Sequence, residues 1–302
     1  MRVYGIWRMN DFSPNHINND AAIFKAVIEL VEKEGVTITS VTEGAFLKLE
    51  DYNDEPIITM GRSKELVHHL KMLERRGVLI INSAQGIQNC FRTLMTQALL
   101  QHGVPYPESE IVATHSDIGY LFDRFGAPGI WIKRGDFHAV HKEDVSFAST
   151  KEEANNILAE YAIRGIDEAV ISKHLFGDLV KFYGVDGTDF FYCFHPYDLN
   201  HHKYAAYEQI NGLTAHYTFD KEALQQTAIR AAQVLGVSIY GGDAIVHADG
   251  SFHIIDLNDW PSFAPCREQG AEAIATHIFN QFSSYIDHMI YKDEDSTDIN
   301  YV

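Results

Sequence analysis

The chain has 302 residues, enough for more than one packed core, and its 46% hydrophobic and 22% charged content is that of a globular protein rather than a disordered or fibrous one. A formal net charge of −18 opposes a polyphosphate backbone and argues against a nucleic-acid partner, and no apolar run approaches the ~20 residues that cross a bilayer. Three cysteines, Cys90, Cys193 and Cys266, lack CxxC spacing and argue against a disulfide framework and a structural zinc site; with no signal-like N-terminus, the expected location is cytoplasmic.

In chain order, Arg2–Trp7 predicts a strand, and Asp20–Glu34 a helix ended by Gly35, with apolar residues at helical spacing (Ala22, Phe24, Val27, Ile28, Val31). Val36–Val41 and Pro56–Met60 predict strands, Ser63–Arg76 a helix, Val78–Ile81 a strand, and Gly86–His102 a single helix closed by Gly103. This alternation implies a small, mostly parallel sheet covered by helices. The prolines of Val104-Pro105-Tyr106-Pro107 mark a domain boundary. Beyond them come a strand at Ile111–Thr114, a helix at Asp117–Phe125, strands at Gly129–Lys133 and Ala139–Lys142, a helix at Lys151–Arg164, and strands at Ala169–Lys173 and Leu179–Val185. Asp186-Gly187 and Asp249-Gly250, each between strand-like runs, signal hairpins. A helix at Lys221–Leu235, strands at Tyr240–His247 and Phe252–Leu257, and a helix from Glu268 to Tyr291 complete the pattern, and the acidic stretch Lys292–Val302 is expected to be disordered. The fold class is therefore α/β plus α+β, an α/β front domain followed by a part with antiparallel sheets.

The stretch Gly241-Gly242-Asp243, the Asp249-Gly250 turn, and Asp256-Leu257-Asn258-Asp259-Trp260-Pro261 carry the strongest chemical signal. Asp256 and Asn258 are two apart on a strand and leave one face, and pairing across the turn can bring Asp243 to them. Two carboxylates and an amide oxygen form an oxygen-only donor set of the kind magnesium takes when phosphate oxygens complete its shell. Turn chemistry before Pro261 explains Asp256 and Asn258 equally well from spacing alone.

Asp243 followed by a hairpin and then Asp256-x-Asn258-x-x-Pro261 resembles the closing signature of ATP-grasp proteins, of the glutathione synthetase-like and RimK-like kind. The resemblance implies an N-terminal pre-ATP-grasp domain (residues 1–104), a two-subdomain ATP-grasp part (105–172 and 173–291) and the acidic tail (292–302). It implies that Asp243, Asp256 and Asn258 hold magnesium, two ions between the β- and γ-phosphates, with manganese an alternative. Lys133, at the end of an apolar strand, resembles the phosphate-contacting lysine; a lysine snorkelling from a strand end is the plainer reading. Ala169 to Asp178 resembles the hinge that binds the adenine of ATP, and is also similar to that of inositol-phosphate kinases. It implies nucleotide contacts at Ile171, Lys173, His174 and Leu175, with Asp178 towards the ribose and Lys181 towards phosphate. Asn82-Ser83, Arg92 and Gly103 to Pro107 resemble the join between front and grasp domains, although Arg92 stands where lysine is frequent. Lys133-Arg134-Gly135-Asp136-Phe137-His138 departs from the usual glycine-rich phosphate loop, and Pro261-Ser262 from a frequent Pro-Gly.

The function implied is an ATP- and magnesium-dependent ligase that activates a small-molecule or peptide acid as an acyl phosphate for attack by an amine or thiol. Lys133, Lys181 and Arg92 would offset phosphate charge, and Arg267 would grip an anionic substrate. The alternatives are a kinase acting on a small-molecule hydroxyl and a non-catalytic nucleotide-binding module. A homodimer is a further expectation from the resemblance. His195, His201 and His202 fit no standard zinc spacing and read as a surface loop; Ser13-Pro14-Asn15 reads as a turn that could touch substrate.

Overall fold

The computed structural model describes residues 1–14, 16–50, 52–198 and 210–297, with side chains placed as far as residue 287. β1 (Arg2–Trp7) lies between β2 (Thr37–Thr42) and β3 (Ile57–Thr59), β4 (Ile80–Ile81) joins β3, and every pair is parallel. Parallel neighbours require crossovers. α1 (Ile17–Lys33) supplies the first; the short α2 (Glu43–Phe46) precedes β3, and α3 (Lys64–Arg75) leads to β4. α1 buries Ile23, Phe24, Val27, Ile28 and Val31, a stripe at helical spacing, and the Ser63 hydroxyl caps α3 by accepting from the Leu66 amide at 3.2 Å.

The single helix expected over Gly86–His102 is instead two, α4 (Ala84–Asn89) and α5 (Arg92–Gln101). Phe91 between them is extended and packs its ring on Phe137, 4.7 Å between centroids. The break makes Arg92 the first residue of α5 rather than a mid-helix side chain. Gly86 sits where α4 meets the chain after a later helix, and a Cβ there would come within 2.1 Å of the Gly236 carbonyl.

Two antiparallel sheets follow. The first has the order β5 (Ser109–Ala113), β8 (Glu168–Lys173), β6 (Ile130–Arg134), β7 (Val145–Ala148), with α6 (Gly119–Phe125) and α7 (Lys151–Ile163) against it. The strand expected at Ala139–Lys142 does not form. The amides of Val140 and His141 bond the Asp144 carboxylate at 2.8 and 2.9 Å instead of a neighbouring strand, and the strand falls later, at β7. The second sheet has the order β10 (Phe191–Phe194), β9 (Asp178–Val185), β11 (Ile239–Val246), β12 (Phe252–Asp259), with α8 (Lys221–Leu235) packed on its apolar face. Both Asp-Gly hairpins are present, joining β9 to β10 and β11 to β12. The last helix, α9 (Arg267–Thr297), runs beyond Tyr291, so residues 292–297 of the expected disordered tail are helical; residues 298–302 lie outside the described residues.

The core of the parallel sheet does not belong to the front of the chain alone. Phe24 of α1 makes edge contacts with Trp7 and with Trp260 just past β12, and Ile274 and Ile278 of α9 join the same cluster. Asn82 stitches the seam, donating to the Ile239 carbonyl at 2.7 Å and accepting from the Ser238 and Ile239 amides at 2.9 and 2.8 Å. No helix among the described residues is long and apolar enough to cross a membrane. Because Phe24 is fully buried at this shared core, Phe24→Ala is expected to cost about 3–5 kcal/mol in denaturant unfolding. Ile163→Ala, at a side chain 86% exposed, is expected to stay within about 0.5 kcal/mol of the parent.

Candidate active site

The acidic hairpin folds as a register dictates. Asp243 on β11 pairs with Asp256 on β12, and Gly241 with Asn258. The register slips between Asp243 and Ala244, where β12 carries Ile255 as an extra, unpaired residue. Ile254 and Leu257, three apart, consequently reach the same core under α8, whereas an uninterrupted strand would send them to opposite faces. The bulge also turns the Ile255 carbonyl away from the ladder, and the Lys133 ammonium donates to it at 3.3 Å. Gly242 is required beside this slip: a Cβ there would lie 2.3 Å from the Asp256 carbonyl oxygen and 2.5 Å from the Phe182 ring.

Three cations converge on the acids from three elements. Arg92, buried at the start of α5, forks onto Asp256 with contacts of 3.1 and 3.4 Å. Lys181 on β9 stands opposite Asp243 in the ladder and donates to its carboxylate. Lys133 ends β6, in the other antiparallel sheet. Burial by itself would raise the Asp256 carboxyl, but Arg92, then Lys133, hold it below the usual carboxylate range. Burial and the repulsion of Arg92 push the Lys133 ammonium down to about 7.

The glycine-poor loop after β6 is folded onto this face rather than standing free. Phe137 packs between Phe12 and Phe91, and Arg134 pairs with Asp136 at 2.8 Å. His138, which the sequence reading passed over, places Nδ1 3.0 Å from the Asn258 side chain and Nε2 3.2 Å from Asp259. Burial, then the neighbouring Arg62, keep its pKa below the ordinary histidine value. Asp259 is itself buried. Its carbonyl accepts from Arg62 at 2.9 Å, its carboxylate lies 3.4 Å from Arg62, and Arg8 donates to the next carbonyl, Trp260, at 2.8 Å. Burial would raise this carboxyl, and Arg62, His138 and Arg8 together hold it well below the carboxylate range. One signal was available for the missed group: a charged residue alternating with Asn258 onto the apolar side of a strand must be paired.

A cavity of about 480 Å³ opens where the parallel sheet meets this hairpin, and Arg8, Asn19, Arg62, Lys181, Asp243 and Asn258 are among its walls. Ser13, Pro14 and Ser262 line it, and Asn15 lies outside the described residues. Arg267 does not line the cavity; it donates to Asn19, which does, at 2.8 Å. A separate crevice between the two antiparallel sheets, about 20 Å³, is lined by Trp131, Lys133, Lys173, Leu175, Ile245 and Ile255. Ile171 is fully buried in its own sheet, which leaves only its backbone for a ligand. The His174 ring turns to Trp131, whose indole N–H donates to Nδ1 at 3.2 Å. Asp178, expected towards the ribose, is buried, and its two oxygens accept from the Ala215 and Tyr217 amides at 2.8 and 2.7 Å. Of the cysteines, Cys90 and Cys266 are buried and Cys193 half-buried, with burial raising all three thiols, Cys266 to about 12, so none is an activated nucleophile.

No protein-family profile matches the chain. Over 205 residues it is 22% identical to N-acetylaspartylglutamate synthase A of Mus musculus, an alignment covering 63% of this chain and 50% of that protein. The chain thus spans about half the length of that curated relative. Among solved structures it is similar to D-alanine–D-alanine ligase from Bacillus anthracis complexed with ATP, with a TM-score of 0.64 at 15% identity over 97% of this chain and 99% of that one. It is also similar to a RimK-domain ATP-grasp protein from Sphaerobacter thermophilus, with a TM-score of 0.65 at 15% identity, covering 92% and 100% of the two chains.

Asp259→Asn is expected to destabilise the chain by about 3–5 kcal/mol near neutral pH, because Arg62 is then buried without its counter-charge. The folded pKa of Asp259 is depressed, so its contribution is complete above the unfolded value of about 3.9 and lost as pH falls through the lower folded value. The gap between parent and variant in thermal melts is therefore expected to persist at pH 5 and to close only in stronger acid.

Proposed function

From the ATP-grasp fold that this chain has, we propose that it is an ATP- and magnesium-dependent ligase that activates a carboxylate as an acyl phosphate and joins it to an amine or thiol. One observation carries the reading. The oxygen donors Asp243, Asp256 and Asn258 lie on one β-hairpin, ringed by Arg92, Lys133 and Lys181, and Asp243, Asn258 and Lys181 stand on the wall of a cavity large enough for substrates.

The donor set suits magnesium: two carboxylates and an amide oxygen, all hard, arranged by the Asp243–Asp256 pairing and without a nitrogen or sulfur ligand among them. When bound there with ATP, magnesium would screen phosphate charge and orient the γ-phosphate for in-line attack. The chain's own groups do the rest. Arg92 and Lys181 hold the carboxylates in place beforehand, and Arg92 is already desolvated beside them. His138 Nδ1 lies 3.0 Å from the Asn258 side-chain oxygen and Nε2 lies 3.2 Å from Asp259, so the ring, held on both sides, fixes where that oxygen would stand as a ligand. Lys173 and Leu175 would meet the adenine in the crevice between the sheets, which at about 20 Å³ must widen to admit a ring. Arg8 and Arg62 give the larger cavity a cationic wall for an acid substrate, with Arg267 acting at one remove through Asn19. The named products of the two ligase-like relatives, a pair of alanines and an acetylated aspartyl-glutamate, favour an amino acid or short peptide acid among the substrates.

Calorimetry tests the nucleotide assignment. ATP is expected to bind only with magnesium, and Asp256→Asn combined with Asn258→Ala to weaken that binding by at least about tenfold. Folded parent protein that ignores ATP in magnesium would remove the catalytic reading. Release of ADP only when an acid and an amine or thiol are both supplied separates a ligase from a kinase.

Lys133 gives a pH signature. Its ammonium titrates at about 7 in the free chain, and an adjacent polyphosphate raises that value, so binding takes up a proton near and above neutrality. ATP affinity is expected to fall as pH rises from 7 to 9. Titrations in buffers of different ionisation enthalpy should register the uptake in the parent and its absence in Lys133→Ala.

A further inference from the structure

Among the described residues, one group of metal-ligating side chains stands apart from the acidic hairpin. His195, directly after β10, Asp198 in the following turn, and His216, far along the chain, each offer one ligand atom within 4.8 Å of the others. The Nε2 of His216 lies 3.6 Å from an Asp198 oxygen, and the two imidazoles stand 4.8 Å apart between centroids at 65°. In a tetrahedral shell with bonds near 2.1 Å, neighbouring ligand atoms sit about 3.4 Å apart. The His216–Asp198 spacing is already close to that, and both side chains are about half exposed and able to turn the remaining distance.

Three observations say that the cluster is built rather than accidental. The His195 Nε2 is shut off from water and has no hydrogen-bond partner among the described residues, so no bond described there commits the ring to a structural role. Asp198 is tied to His195 by a backbone hydrogen bond of 3.3 Å that closes the turn between them. His216 is held from both sides by Asp178, which accepts the amides of Ala215 and Tyr217, and it adopts a left-handed conformation (φ 53) that a non-glycine residue keeps only where its surroundings impose it. The unexpected position of the Asp178 carboxylate thus has a consequence: it presents His216 to the other two ligands.

We propose that His195, Asp198 and His216 form a binding site for a divalent transition-metal ion, with zinc the best match. Two imidazoles and one carboxylate, with water in a fourth position, is a zinc donor set, and the imidazoles distinguish it from the oxygen-only hairpin that suits magnesium. Phe194 and Pro196, on either side of His195, line the 480 Å³ cavity, so an ion here would brace one of its walls. The site is independent of the ligase reading and stands or falls separately.

The test is zinc titration of the chelator-stripped full chain in saturating magnesium, which keeps the hairpin acids occupied. One zinc per chain is expected, with a rise in melting temperature. The double variant His195→Ala, His216→Ala should lose it, and Asp198→Asn, at an exposed carboxylate, should weaken it by at least about tenfold. His201→Ala with His202→Ala should bind as the parent does. No zinc uptake by the parent overturns the proposal, as does undiminished uptake in the first double variant or loss in the second. Far-UV circular dichroism before metal addition checks folding, and should the first double variant fail that check, Asp198→Asn decides the matter.

Discussion

The arrangement rests on a buried carboxylate, Asp259, and on the cations that keep it ionised. Arg62 and Arg8 reach it from the parallel sheet, His138 from the loop of one antiparallel sheet, and Asp259 itself closes the last strand of the other. A carboxylate shut away from water is costly unless charge and hydrogen bonds compensate it. Here the carboxylate and its compensating groups belong to three separate sheets, so the cluster is complete only when all three have docked. Its neighbour in the chain, Asn258, faces the cavity, and His138 touches both residues. The interaction that joins the sheets therefore also sets the position of a candidate ligand.

The acidic face repeats this logic with the opposite emphasis. Asp243 and Asp256 each have a cation, Lys181 and Arg92, while Lys133 turns to a carbonyl released by the β12 bulge and is pushed by burial towards its neutral form. Such a set is nearly balanced without a ligand and gains most when further negative charge arrives with a cation of its own. That is the electrostatic condition for binding a magnesium-bound polyphosphate, and it needs little rearrangement of the acids. On the proposed reading, the small volume between the sheets locates where movement would be needed instead: they would have to separate for a base to enter.

Periodicity and turn chemistry made much of the architecture legible. The strand at Arg2–Trp7 and the helix at Lys221–Leu235 lie where alternation and helical spacing put them, and both Asp-Gly turns make hairpins. The errors share a cause. Local pattern favoured a strand at Ala139–Lys142 and one helix through Phe91, but the Asp144 carboxylate captured the first segment's amides and an aromatic contact with Phe137 broke the second. Each competing partner lies on another element or across an irregular turn, where a window of neighbouring residues carries no trace of it.

The sequence by itself determined the fold class and the hairpin that carries Asp243 and Asp256, because alternation on either side of an Asp-Gly turn marks two paired strands, whereas the slip at Ile255 that sets the two acids opposite each other came from the structure. It also supplied the cations, but not their assignments. That Arg92 forks onto Asp256, that Asp178 holds the chain around His216, and that His138 reaches Asn258 were decided by tertiary structure. The reason is physical: a buried charge takes whichever partner the docked sheets bring within a few ångströms, and that distance depends on packing over the whole chain rather than on the spacing of its residues.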